Sequence, residues 1–224
     1  MMNTHIETDG YEIIEDFLSK NNINKLITEI EEKNLAPIKG GFRNAEKVFP
    51  LIKGIASSRN VIEAARNYLS GEPKFVRAIL FNKTSDNNWL VAWHQDKAVT
   101  LSEKCEMDGW GPWSIKSGVH HVQPPRAVLD NMITFRIHLD DTPKENGCLK
   151  VIKGSHNQGI LATAEVVEIA KTSEQSYCEV SAGDCIAMRP LIIHASSKSL
   201  KPKNRRVIHL EYTGYDLPEG VNWV

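Results

Sequence analysis

The chain has little from which to build a cross-linked or membrane-bound protein. Its 224 residues include four cysteines, Cys105, Cys148, Cys178 and Cys185, scattered and without a CxxC pair. That spacing favours free, mostly buried thiols in a reducing compartment over a disulfide framework or a cysteine-rich zinc site. No apolar run approaches the roughly 20 residues that cross a bilayer. Residues 1–9 are polar and hold no apolar leader core, so a cytoplasmic location and no membrane partner are expected. A surplus of either charge is also missing: 27 Lys and Arg face 28 Asp and Glu, a net charge of −1. There is no broad basic field for nucleic acid and no acidic tail. Internal repeats and low-complexity segments are absent, which removes solenoid architectures.

What is present is enough for one domain over residues 1–224, long enough to bury a core without staples. Residues 1–73 are expected to be mainly helical support. Ile13, Ile14, Phe17 and Leu18 recur at helical spacing, as do Leu26, Ile27 and Ile30, and then Val61, Ile62, Ala65 and Leu69. From Lys74 the texture changes to short strands separated by turns, over 75–81, 89–94, 132–139, 147–152, 177–180, 185–188, 190–194 and 205–213. Residues 160–172 fit a loop or a short helix. In the last strand Arg205, Val207, His209 and Glu211 alternate with Arg206, Ile208, Leu210 and Tyr212. Many short strands predict a mainly β sandwich or jelly roll with flanking helices, its core over 74–215. Residues 98–128 show little periodicity and follow the chemistry-bearing segment directly, so they are expected to form a lid-like insert.

That segment is His94-Gln95-Asp96. Strand alternation puts His94 and Asp96 on one side. His194 follows a hundred residues later and Arg205 eleven residues after it. Two imidazoles and one carboxylate form the facial ligand set of non-haem Fe(II), which leaves positions open. An arginine nearby can clamp the far carboxylate of a bidentate co-substrate. Singly, each residue has an ordinary alternative: a core histidine bonded to Asp96, a packed imidazole, a surface arginine. The same three ligands can also hold catalytic zinc, although no HExxH motif supplies a general base. A barrel that binds a ligand without catalysis is a third alternative. His120 and His121 lie in the insert, whereas His138, His156 and His209 are expected to be structural.

Beyond the triad, an ordered series of motifs resembles the phytanoyl-CoA dioxygenase family across residues 75 to 215. It runs Trp93-His94-Gln95-Asp96, Leu139-Asp140-Asp141, Glu145-Asn146-Gly147-Cys148-Leu149, Gly154-Ser155-His156, Ala182-Gly183-Asp184, His194-Ala195-Ser196 and Arg205-Arg206. The resemblance implies a double-stranded β-helix of the jelly-roll, cupin-like kind. It also implies a dioxygenase using Fe(II), 2-oxoglutarate and O2, which converts 2-oxoglutarate to succinate and CO2 while hydroxylating a small-molecule or lipid-like substrate. His94, Asp96 and His194 then match the iron ligands, and Arg205 with Ser196 matches the carboxylate clamp. Arg136, eleven residues before Gly147, falls where relatives place a residue beside the co-substrate, and can serve either it or the substrate. Substrate contacts are expected from Gln95, Trp110, Trp113, His120, Gln123 and Lys83. Lys153 stands where relatives carry proline, and the insert over 98–128 departs from acyl-CoA-binding members. Halogenating relatives lack the carboxylate ligand; Asp96 is present, so hydroxylation is expected. No nucleic-acid partner is expected, and the residues leave the oligomeric state open.

Overall fold

The computed structural model describes residues 5–36, 40–116, 118–200 and 204–223. Helices α1 (Ile6–Asp9), α2 (Lys20–Lys33), α3 (Pro50–Ala56) and α4 (Arg59–Arg66) precede most of the sheet, and α5 (Arg126–Asp130) and α6 (Thr163–Thr172) connect strands later. The strands are β1 (Tyr11–Ile14), β2 (Phe42–Arg43), β3 (Lys74–Lys83), β4 (Val91–His94), β5 (Val99–Leu101), β6 (Trp113–Lys116) and β7 (Val119–Val122). They continue as β8 (Met132–His138), β9 (Leu149–Val151), β10 (Ser176–Cys178), β11 (Cys185–Met188), β12 (His194–Ser196) and β13 (Arg205–Thr213). Among the described residues no helix is long and apolar enough to cross a membrane.

A six-stranded sheet has the order β1-β11-β8-β13-β3-β2, and a four-stranded sheet the order β10-β9-β12-β4. All pairings in both are antiparallel. Strands distant in sequence are thus neighbours in space, as in a jelly roll. Alternation in the large sheet divides the molecule. Ala78, Leu80, Ile133, Phe135, Ile137, Ile208, Leu210 and Tyr212 point outward into a core shared with Ile23, Leu26 and Ile30 of α2, Ile52 of α3 and Val61 and Ala65 of α4. The opposite face carries Arg77, Arg136, Arg205, His209 and Glu211, which line a cavity together with residues of the four-stranded sheet. Period-2 patterning therefore puts oil on one side of the sheet and chemistry on the other.

Three expectations need correction. Ile13 and Ile14 belong to β1, whose residues Tyr11 to Ile14 pair with Met188 to Cys185 of β11. Gly10, at φ +82°, ends α1 just before it. Phe17 and Leu18 follow in a turn yet still reach the core, so one stretch of apolar residues satisfies burial as strand plus turn. Leu69 likewise lies beyond α4. The true amphipathic helix here is α2, capped by the Ser19 side chain, which accepts from the Asn22 N–H, and ended by Asn34 in the left-handed region. Secondly, 98–128 is not structureless. It contains an antiparallel sheet of order β5-β7-β6 followed by α5. Its strands have three or four residues, too few for a periodic signal, and the histidines at their centre are weak strand formers. The Leu101–Trp223 bridge and the Ser102 N–H to Asn222 carbonyl bond join this sheet to the C-terminal segment. Residues 190–193 are a turn, and the strand expected there begins at His194. Residues 163–172 are helical. All four cysteines are free.

Candidate active site

β4 and β12 are neighbours in register, with His94 directly opposite His194. The strand β4 ends at His94. Two residues on, the Asp96 backbone N–H donates to the Pro190 carbonyl, which holds that segment beside the turn leading to His194. His94 Nε2 lies 3.6 Å from Asp96 Oδ1, and His194 Nε2 lies 3.5 Å from Asp96 Oδ2. One ligand atom from each of the three can be chosen so that all lie within 4.8 Å of one another. His94 Nδ1 contacts the Ala92 carbonyl at 2.8 Å, and His194 Nδ1 the Ile192 carbonyl at 2.9 Å. A carbonyl only accepts, so both Nδ1 atoms carry hydrogen and both Nε2 lone pairs face the shared space. The electrostatics differ between the histidines: burial disfavours the charged form of His94, but the hydrogen bond and charge of Asp96 outweigh it and raise its pKa. Burial disfavours the Asp96 carboxylate, but the two imidazoles outweigh it and hold the group well below the usual range. Burial, reinforced by His94, pushes His194 down to about 3, so it is a neutral donor. The His94 and Asp96 side chains remain 39% and 29% exposed, so one side of the cluster opens into the cavity.

At one end of the cavity, Arg205 of β13 stands opposite Lys83 of β3. Arg205 Nη1 donates to the Gly147 carbonyl and to Ser196 Oγ. Its Nε is buried without a partner. Lys83 Nζ donates to Ser196 Oγ at 2.8 Å and to the Ser197 carbonyl at 3.2 Å, over the Trp89 ring. Neither cation has a carboxylate partner among the described residues. Burial and the neighbouring arginines push Lys83 down to about 7, and burial with Arg136 pushes Arg205 down to about 10. An anion placed here would relieve both.

Beyond the metal cluster lies a buried chain of polar groups. Arg77 Nη2 donates to Glu211 Oε1 at 2.8 Å and to the Ala98 carbonyl. Glu211 Oε1 accepts from His209 Nε2 at 3.1 Å. His209 Nδ1 is 3.0 Å from Arg136 Nη1; since arginine only donates, that nitrogen is the acceptor. His121 Nδ1 lies 3.4 Å from Arg77, and burial with that guanidinium pushes its pKa to about 4.

These groups enclose a cavity of about 520 Å³. Of the residues picked from sequence, His94, Asp96, His194, Arg205, Ser196, Arg136 and Gln123 line it. Lys83 sits behind Ser196 at the Arg205 end, away from the substrate role expected of it. Gln95 also borders the cavity, yet its amide is consumed by backbone: Nε2 donates to the Gly159 and Leu191 carbonyls, and Oε1 accepts from the Leu161 N–H. Trp110 packs on Tyr215, and Trp113 on His120. None of these three reaches the cavity: alternation along β6 and β7 turns Ser114, Lys116 and His121 inward rather than Trp113 and His120, and Trp110 lies ahead of β6. Sequence reasoning missed Arg77, Trp89 and Glu211 and took His209 as structural, whereas His121 was placed in the insert as a residue that could touch substrate. The signal for two of them was visible, since His209 and Glu211 share the alternating face of Arg205.

Comparison with known proteins places this geometry. Among curated protein sequences none matches the chain. Three similar solved structures are AviO1 from Streptomyces viridochromogenes Tue57, SnoK from nogalamycin biosynthesis and HygX from Streptomyces hygroscopicus. AviO1 is 21% identical with a TM-score of 0.67, covering 96% of this chain and 94% of its own. SnoK, described as a non-heme alpha ketoglutarate dependent carbocyclase, is 16% identical at 0.70, covering 94% and 82%. HygX, solved with nickel, 2-oxoglutarate and hygromycin B bound, is 15% identical at 0.67, covering 96% and 86%. At such identities the likeness establishes the fold. The phytanoyl-CoA dioxygenase family model matches residues 6–207, a span that includes His94, Asp96, His194 and Arg205. This chain belongs to the phytanoyl-CoA dioxygenase family.

Proposed function

We propose that the chain is an Fe(II)- and 2-oxoglutarate-dependent dioxygenase that hydroxylates a small molecule. The observation that carries this reading is one cavity holding both a His-Asp-His cluster with bare Nε2 atoms and, at Arg205, a buried cation whose Nε has no partner. The residues fit the metal: two imidazoles that present Nε2 and an ionised carboxylate are the donor set of a facial non-haem iron site. They fit the co-substrate too, because the arginine fork matches a carboxylate in plane and charge. A zinc hydrolase has no use for a carboxylate clamp there.

When bound, Fe(II) with 2-oxoglutarate and O2 supplies the oxidising power to attack a substrate C–H bond, 2-oxoglutarate leaving as succinate and CO2. The protein does the rest. His94, Asp96 and His194 would hold the metal from one side, the backbone carbonyls of Ala92 and Ile192 fixing both ring orientations. Arg205 and Ser196, backed by Lys83, would orient the far carboxylate of 2-oxoglutarate. Gln95 ties the 159–161 loop to Leu191 and so supports the histidine strand. The small sheet, with Pro112, Ser114 and His121, would cover the substrate and exclude water. The carbocyclase SnoK and a structure described as the epimerase SnoN show that related folds reach other outcomes. Hydroxylation is proposed here because the carboxylate ligand is present.

Anaerobic titration of Fe(II) and 2-oxoglutarate into metal-free protein tests the reading. The visible metal-to-ligand charge-transfer band of a chelated 2-oxo acid is expected, and Asp96→Ala and His194→Ala are expected to lose it. Retention of zinc with no band would replace the oxygenase reading with a hydrolase one.

A further inference from the structure

The cavity holds a second vacant arginine fork, and the proposed co-substrate can fill only one. Arg136 is 7% exposed and lines the cavity from β8. The one side-chain hydrogen bond it makes among the described residues is from Nη1 to His209, and its Cζ lies 5.1 Å from the centre of the Phe81 ring. Nε is buried without a partner, and Nη2 makes no hydrogen bond among the described residues. The Nε–Nη2 edge, the one that pairs in parallel with a carboxylate, is therefore free. It is also held in place. His209 is fixed by Glu211, and Glu211 by Arg77, so three residues orient a guanidinium that itself has no counter-ion.

Charge matching identifies what is missing. Arg77 is neutralised by Glu211, the carboxylate on that side of the cavity. Two positive charges on the metal are matched by Asp96 and the chelating carboxylate of 2-oxoglutarate. Arg205 and Lys83, both bonded to Ser196 Oγ, share the far carboxylate. Arg136 is left over, and an unmatched buried cation is costly. Register sets the two arginines at different rungs of the sheet: Arg136 pairs with His209, four residues along β13 from Arg205, or roughly 13 Å of backbone. Arg43 and Lys116 border the same cavity and make no ion pair among the described residues, so the approach is positive as well.

We propose that Arg136 is the receptor for a carboxylate of the primary substrate, which makes the substrate a small organic anion. This rests on the oxygenase reading above. The test uses the anaerobic Fe(II)–2-oxoglutarate complex, at saturating 2-oxoglutarate, with benzoate as carboxylate probe and benzamide as its neutral counterpart. Binding is read by calorimetry and by perturbation of the charge-transfer band. Benzoate is expected to bind and benzamide not. Arg136→Gln is expected to keep 2-oxoglutarate affinity within about threefold while weakening benzoate by at least about tenfold, the loss of a charge-assisted bond pair. Formation of the band shows that the variant is folded. Arg136→Lys, which keeps the charge but not the fork, is expected to weaken benzoate too, and serves if the glutamine variant does not fold.

The proposal is overturned if benzoate fails to bind, if it binds no better than benzamide, or if either variant binds it as wild type does. It is also overturned if Arg136→Gln weakens 2-oxoglutarate more than about tenfold, since Arg136 then serves the co-substrate. Absence of the band in the wild-type protein is a different failure and brings down the oxygenase reading itself.

Discussion

At the scale of single residues, Lys83 makes the sharpest prediction. In the unfolded chain its ammonium persists to about pH 10.4; in the ligand-free fold, burial and then Arg205 and Arg136 bring it down to about 7. Between those values the folded state binds fewer protons, so its stability rises with pH across that window. Below pH 7 both states are protonated and the fold carries the full penalty. A carboxylate at Arg205 restores the ammonium. Binding of 2-oxoglutarate is thus expected to take up more protons near pH 8 in wild type than in Lys83→Met, and equally many well below pH 7. Calorimetry in two buffers of different ionisation heat measures this; equal uptake at pH 8 would remove Lys83 from the clamp. The triad was legible in sequence because His-x-Asp, a distant histidine and an arginine eleven residues on have few structural uses in common. Arg77 and Glu211 were not. A charged residue in an alternating strand reads the same whether it faces water or a cavity, and only the fold decides.

At the scale of elements, the turn after residues 144–146 is part of the clamp. Gly147 sits at φ +69°, where a Cβ would lie 2.5 Å from the Ser197 carbonyl oxygen, and its own carbonyl accepts from Arg205. Gly147→Ala combines about 1 kcal/mol of left-handed strain with displacement of the Ser196–Ser197 strand end. It is expected to raise the 2-oxoglutarate dissociation constant about tenfold or more while metal binding changes little, as read from charge-transfer titration and metal analysis. Equal loss of both would point to general collapse instead. The Arg206 side of the same strand explains another motif: its guanidinium forks onto Asp140 and reaches Glu31 of α2, joining sheet to helix. Long strands and α2 were readable because their periods run for many residues. β1 and the small sheet were not, because three or four residues fit either period and their pairing partners lie far away in sequence.

At the scale of the whole molecule, the large sheet separates an apolar core from a polar, cation-rich cavity, and the ligand-free fold carries buried charge with no counter-ion at Arg136 and Arg205. Ligands that supply the missing charge bind the folded state alone. Metal with 2-oxoglutarate at a hundredfold excess over Kd is expected to add about 2.7 kcal/mol, a rise in Tm of roughly 5–11 °C for a chain of this size, whereas either alone gives less. Thermal unfolding with and without both checks this, and a shift unaffected by Arg205→Ala would place the binding elsewhere. The pairing of β3 with β13 has a consequence for how such an enzyme can change. Arg77, Ile79 and Phe81 on one strand and Arg205, His209 and Glu211 on the other occupy successive rungs of a single ladder. Point substitutions can alter what the cavity reads at one rung and leave the others alone. An insertion or deletion of one residue within either strand, unless absorbed by a bulge such as the one between Glu211 and Tyr212, would turn every later rung toward the helices. Evolution of new substrates in this scaffold is therefore confined to exchanging side chains along the ladder and lengthening the loops beyond it.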